Sequence, residues 1–176
     1  MKSALLTPAL ALASFALLAS PALLPQQSFA ELSQAVRVGL EAPLLLCAAF
    51  LGATRHWTVP RKVLNISSGL GRFAMAGSAV YCAAKAGMDH FSRCIALDEA
   101  AKPHGARVCS LAPGVIDTDM QMQLRAAHAA DFPAQANFVQ LKAQPGEQAP
   151  TDIAIERQLD VGLVAGNLAN LVFVIV

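Results

Sequence analysis

The run Lys62-Val63-Leu64-Asn65-Ile66-Ser67-Ser68 leads through a glycine-bearing loop to Tyr81-Cys82-Ala83-Ala84-Lys85, and the reading of this stretch decides the fold. Val63, Leu64 and Ile66 form a short apolar run that ends at Ser67, Ser68 and Gly69, the pattern of a buried strand entering a loop. The loop extends to Gly77. Ser78 then stands as an N-cap for a long helix that Pro103 and Gly105 stop just after Lys102. Met88, Phe91, Cys94 and Ile95 are its expected inward stripe, with Arg93, Asp98 and Glu99 facing water. Tyr81 and Lys85 lie four residues apart, on one helical face and one turn from each other. A cation held there is expected to favour tyrosinate and pull the phenol below its ordinary pKa of about 10.

Upstream, Leu32, Val36, Leu40, Leu44 and Leu45 follow a helical period from Glu31 to about His56, and Pro43 is expected to bend or restart that helix. Its apolar residues occupy more than one side, so it is expected to pack on both a sheet and another helix. Downstream, Arg107 to Leu111 reads as a second short strand. Pro113 and Gly114 turn the chain, and Asp117, Thr118 and Asp119 start a helix expected to run to about Lys142. Thr151 to Asn170 reads as helical, and Leu171 to Val176 as a final buried strand. The order helix, strand, helix, strand, helix points to an α/β fold with a parallel sheet, in which ligands sit beyond the carboxyl ends of the strands.

At 176 residues the chain suits one domain with a real core, and its formal net charge of +1 provides no electrostatic footprint for nucleic acid. Cys47, Cys82, Cys94 and Cys109 fit neither a zinc ligand set nor a compact disulfide framework and read as buried small hydrophobes. His56, His90, His104 and His128 have no ligand spacing, so no metal site is expected. Met120 and Met122 read either as the lining of a substrate entrance or as flexible packing. Residues 1–30 stand apart, because Lys2 is their only basic residue and Ala4 to Leu24 is almost wholly apolar. With Ser28 and Ala30 as a small-x-small pattern, this segment reads as a signal peptide, a buried helix broken at prolines, or a membrane anchor. The chain thus divides into an apolar segment 1–30, a catalytic region 31–144 and a divergent tail 145–176.

Asn65-Ile66-Ser67-Ser68, then Tyr81 to Lys85, then Leu111-Ala112-Pro113-Gly114 with Thr118 resembles the classical short-chain dehydrogenase/reductase family in content, order and separation. Within it, Tyr81-Cys82-Ala83 and the run Ala112 to Gln121 resemble the sepiapterin reductase branch and its bacterial relatives. The resemblance implies a partial Rossmann-like, doubly wound parallel sheet, the carboxyl-terminal half of the family fold. It also implies a carbonyl reductase using NADP, with NAD as the alternative, on a ketone or diketone of the pterin side-chain kind. Tyr81 would give a proton to the carbonyl oxygen, Lys85 would tune Tyr81 and hold the nicotinamide ribose, and Ser68 would hydrogen-bond the developing oxyanion. Pro113, Gly114, Val115, Ile116 and Thr118 match the family loop at the nicotinamide end.

Two departures accompany the likeness. The family's glycine-rich pyrophosphate turn has no counterpart, since Gly69 and Gly71 make only a G-x-G inside the loop after Ser68. Gly39 stands where the family commonly has a proton-relaying asparagine. The expected function is therefore a cytoplasmic reductase acting on a small carbonyl compound as a homo-oligomer or paired with a complete relative. The alternative is a truncated, noncatalytic module that serves association, using the helices around Glu31 to His56 and Tyr81 to Lys102. An unpaired sheet edge is expected in either case.

Overall fold

Pro43 lacks an amide proton, and the helix around it changes its hydrogen-bond register to accommodate that loss. In the computed structural model, which describes residues 12–13, 21–115, 118–143 and 171–175, the chain runs helically from Phe29 through a π-helical turn at Arg37–Glu41 into a second segment. The amide of Ala42 bonds to the carbonyl of Arg37, one residue further back than in an α-helix, and Pro43 then sits in the first turn of the next segment. The elements are β1 (Leu12–Ala13), α1 (Phe29–Val36), α2 (Ala42–Ala53), β2 (Lys62–Ile66), α3 (Ala79–Ala100), β3 (Arg107–Leu111), α4 (Asp119–Ala126), α5 (Gln135–Ala143) and β4 (Leu171–Ile175).

The strands form one parallel sheet in the order β1-β4-β2-β3, with Lys62 opposite both Arg107 and Leu171. This is the expected α/β architecture, a parallel sheet fed by helical crossovers. β2 is interior and all five of its residues are buried, as a continuous apolar run predicts. Its side chains alternate between faces: Val63 packs with Cys47, Phe50, Phe91 and Ile95 beneath α2 and α3, while Leu64 and Ile66 cluster with Cys109 and Leu111. Asn65 is a polar residue in a strand interior, and it is satisfied there: its amide donates to Ser92 Oγ at 2.8 Å and its carbonyl accepts from Cys47 Sγ at 3.5 Å. β3 lies at one end of the strand order, and among the described residues no strand pairs with its outer side.

Several expectations need correction. Cys94 is exposed rather than inward, so of the four thiols only Cys47 is fully buried. Glu99 is buried rather than water-facing, because Arg61, Lys102 and the Ala106 amide all engage its carboxylate. The single helix expected from Asp119 to Lys142 is two helices, since Ala127 turns extended and the chain passes through a compact turn before Pro133, with Phe132 completely buried. Ser78 occupies the N-cap of α3, but its side chain makes no capping bond. Ser28, by contrast, caps α1 reciprocally with Glu31. Met120 packs on Leu124, Phe132 and Ala134, which decides for packing over an entrance, and Met122 is exposed. All four histidines are exposed. The segments 1–11, 14–20 and 144–170 lie outside the described residues, and with them the expected helix Thr151–Asn170 and most of the apolar leader.

Candidate active site

β2 and β3 are parallel and in register, Ile66 opposite Leu111, so the residues that follow each strand leave from the same edge of the sheet. Ser68 therefore emerges beside the Ala112-Pro113-Gly114 turn, and α3 returns across that edge carrying Tyr81 and Lys85. The chain after Ser68 winds into a short 3-10 turn, Gly69–Gly71, and the Ser68 hydroxyl accepts the Leu70 amide at 3.2 Å. The same hydroxyl lies near enough to the Tyr81 phenol to favour its ionised form. The structure thus brings Ser68, Tyr81 and Lys85 together.

Lys85 is 2% exposed. Its ammonium donates to the Ile66 carbonyl at 2.9 Å and lies 5.6 Å from the centre of the Tyr81 ring, within the range of a cation–π contact. Burial lowers its pKa from 10.5 to about 8, against the opposing charge of Asp89. Tyr81 moves opposite to the expectation from spacing. Burial pushes the phenol above its ordinary value, the nearby Ser68 hydroxyl only partly offsets this, and neighbouring Cys82 adds to it. Tyr81 consequently holds its proton at neutral pH.

Pro113 and Val115 are half-buried, and Gly114 is exposed in left-handed backbone (φ 80°) with open space beside it. Thr118 stands at the N-cap of α4 with its side chain making no capping bond. Ile116 lies outside the described residues. Gly39 is buried in the π-helical turn, whose neighbours Val38 and Leu40 pack in the cluster that also contacts Tyr81. Among the described residues no group of His, Cys, Asp or Glu is placed to hold a metal ion.

Sequence reasoning passed over Asp89. It is buried, one turn beyond Lys85, and Ser110 of β3 donates to its carboxylate. A Lys followed four residues later by Asp was the available signal, but that spacing is common on solvated helices.

The buried Lys85 gives a stability prediction. The unfolded chain keeps the lysine proton up to about pH 10.5 while the folded chain releases it near 8, so the unfolded state binds more protons between those values and stability rises with pH there. Compared by urea unfolding, Lys85→Met is expected to exceed the wild type in stability at pH 7, and that advantage shrinks by about 3 kcal/mol by pH 10.5. A difference between the two proteins that does not change with pH would contradict the buried charge.

A sequence profile described as short chain dehydrogenase matches residues 17–129, beginning inside the apolar N-terminal segment. The chain belongs to the short-chain dehydrogenase/reductase family. It is 37% identical over 119 residues to the benzil reductase ((S)-benzoin forming) of Bacillus cereus, a match covering 68% of this chain and 48% of that protein. It is 29% identical over 132 residues to the sepiapterin reductase of Xenopus tropicalis, covering 74% and 48%. Among solved structures, one from Agrobacterium tumefaciens, named for 2-deoxy-d-gluconate 3-dehydrogenase and holding bound NADP, superposes with a TM-score of 0.64 at 25% identity, covering 88% of this chain and 61% of that one. The chain spans about half the length of the curated relatives it matches.

Proposed function

We propose that this chain performs the proton-donating half of a carbonyl reduction, with Tyr81 as the acid, Ser68 as a second donor to the same oxygen and Lys85 as the cation beside them. The observation that carries this reading is the convergence of Ser68 and Tyr81 at the carboxyl edge of β2, with the buried Lys85 ammonium 5.6 Å from the centre of the phenol ring. A buried phenol that keeps its proton is suited to protonating an oxygen on which negative charge develops. The Ser68 hydroxyl stabilises that charge by a preorganised hydrogen bond.

NADPH, with NADH as the alternative, would supply the hydride when bound, leaving as NADP or NAD. The residues present suit its nicotinamide end: Lys85 offers a cation to the ribose, Gly114 leaves open space, and the Thr118 hydroxyl is not consumed by capping. Pro113 and Val115 flank Gly114, and Ile116 follows them in the sequence. Residues 1–38 of this sequence contain no glycine and so do not themselves supply a glycine-rich turn for the pyrophosphate. The substrate class is a ketone or 1,2-diketone bearing apolar groups. This is supported by the names of the benzil and sepiapterin reductase relatives and by Phe73, 70% exposed in the loop that follows Ser68. The reaction belongs in the cytoplasm, where NADPH is available, although the helical stretch Phe29–Ala53 is by length and composition long and apolar enough to cross a membrane.

A second reading is favoured by the surface. Leu45 on α2 and Leu97 on α3 are 59% and 75% exposed, and such residues suit association with a second copy or with a complete relative that contributes the pyrophosphate half. Fluorescence titration of the 176-residue chain with NADPH separates the two. Saturable binding, weakened at least tenfold by Lys85→Ala, is expected and leads directly to an assay with benzil. A folded chain that binds no NADPH overturns the autonomous reductase and leaves the association module.

A further inference from the structure

Tyr81, Lys85 and Asp89 succeed one another at four-residue intervals and form a row along α3. The third member is buried too, with one carboxylate oxygen hydrogen-bonded and the other set against the turn after Ser68. Ser110 of β3 donates to Oδ1. Oδ2 lies so close to the backbone of Gly71 that a Cβ there would stand 2.7 Å from it and 3.1 Å from the Lys85 carbonyl. Gly71 ends the 3-10 turn that Ser68 caps. One carboxylate therefore touches the strand beside the site, the turn that carries Ser68 and the field of Lys85.

Folding places a lysine at 2% exposure, which is costly unless an opposite charge stands near it. Among the described residues, the titratable groups next to Lys85 on its own helix face are Tyr81, one turn before it, and Asp89, one turn after it. β2 presents the neutral Ile66 carbonyl, β3 presents Ser110 by way of Asp89, and the turn presents Ser68 and Gly71. Arg93 donates to the Asp89 backbone carbonyl and leaves the carboxylate to its other partners. An uncharged Lys85 would offer Tyr81 no positive neighbour and a ribose no cation.

We propose that Asp89 is a positioning residue of the Ser68–Tyr81–Lys85 site, a negative charge one turn from Lys85 that favours its cationic form and the tie that fixes the Ser68 turn against β3. The inference rests on the reductase reading for what Lys85 does, but it acts on Lys85 alone. Its effect on the reaction is indirect, because the contacts of the carboxylate are with Ser110 and the Gly71 turn.

The test is the titration midpoint of the Lys85 ammonium, read by NMR of protein labelled at the lysine ε-position and assigned by the resonance missing from Lys85→Met. Asp89→Asn keeps an acceptor for Ser110 and removes the charge. It is expected to move the midpoint down from about 8 by roughly one unit. Ser110→Ala leaves the charge but frees it from β3, and is expected to move the midpoint in the same direction by less. An unchanged midpoint in folded Asp89→Asn overturns the proposal, even if its melting temperature drops, since a merely structural role would move only the latter. Should Asp89→Asn not fold, an unchanged midpoint in Ser110→Ala overturns it instead. The midpoint is measured without cofactor or substrate, so a wild type lacking NADPH-dependent turnover sinks the reductase reading, while the role of Asp89 is decided by the titration alone.

Discussion

Tyr81→Phe is expected to lower kcat/KM for NADPH-dependent diketone reduction about 10³-fold, or about 4 kcal/mol of transition-state stabilisation, with NADPH affinity changed less than about threefold. The substitution removes one hydroxyl and little else. The ring that lies under the Lys85 ammonium remains, as does its packing on Ala35, Val80 and Ala84, so the fold is expected to survive intact. What disappears is the proton that burial holds on the phenol and the hydroxyl that Ser68 acts on. The pH profile supplies a second check. Tyr81 stays protonated across the neutral range, so the wild-type reduction rate is limited first by Lys85, which loses its charge as pH rises through about 8. Activity should therefore fall above pH 8 while the phenol is still intact. A Tyr81→Phe protein that retains more than a tenth of wild-type turnover removes Tyr81 as the proton donor.

Where the sequence was legible, local pattern and tertiary structure agreed. β2 and β3 were read to the residue because each is a short run ended by turn-forming residues, and the Tyr81–Lys85 spacing specifies one helix face whatever surrounds it. The failures came where polar residues occupy buried positions. The buried face of α3 carries Ser92 and Glu99 beside Met88, so hydrophobicity alone selected Cys94 and sent Glu99 to the surface. Each polar residue is satisfied by partners distant in sequence: Ser92 by Asn65, Glu99 by Arg61 and Ala106. The direction of the Tyr81 shift failed for a related reason. The spacing reveals a nearby cation, but it does not reveal burial, which is the largest cause of the shift. Asp89 was hidden in the same way, because only the sheet brings Ser110 and Gly71 to it.

Glu99→Ala is expected to cost about 3–5 kcal/mol of folding stability, a large share of what a domain of this size has to lose. Glu99 and Arg61 are 2% and 3% exposed, and their charged groups meet at 3.0 Å. Arg61 also reaches Thr54 Oγ1 and the His104 carbonyl, Lys102 closes on the other carboxylate oxygen, and the Ala106 amide donates to Glu99 at 2.8 Å. Removing the carboxylate would leave a guanidinium buried without a counter-charge and an amide without an acceptor. Arg61 immediately precedes β2 and Ala106 immediately precedes β3, so this cluster ties the start of both strands to the end of α3. The turn between them is equally close-fitting, since a Cβ on Gly105 would stand 1.7 Å from the Glu99 carbonyl. Burial pushes the Glu99 pKa up, but the Ala106 amide, Lys102 and Arg61 outweigh it and hold the carboxyl below 4.5. Its contribution is therefore present above pH 4.5 and lost as pH falls through the lower folded value, an acid limb that Glu99→Gln should abolish. Urea unfolding with an unchanged m-value would read the loss, and one below about 1 kcal/mol would show that the pair does not hold the strands. The double variant Arg61→Met with Glu99→Leu isolates the cause. If the cost of Glu99→Ala comes from the stranded guanidinium, removing both charges must cost less than removing the carboxylate alone.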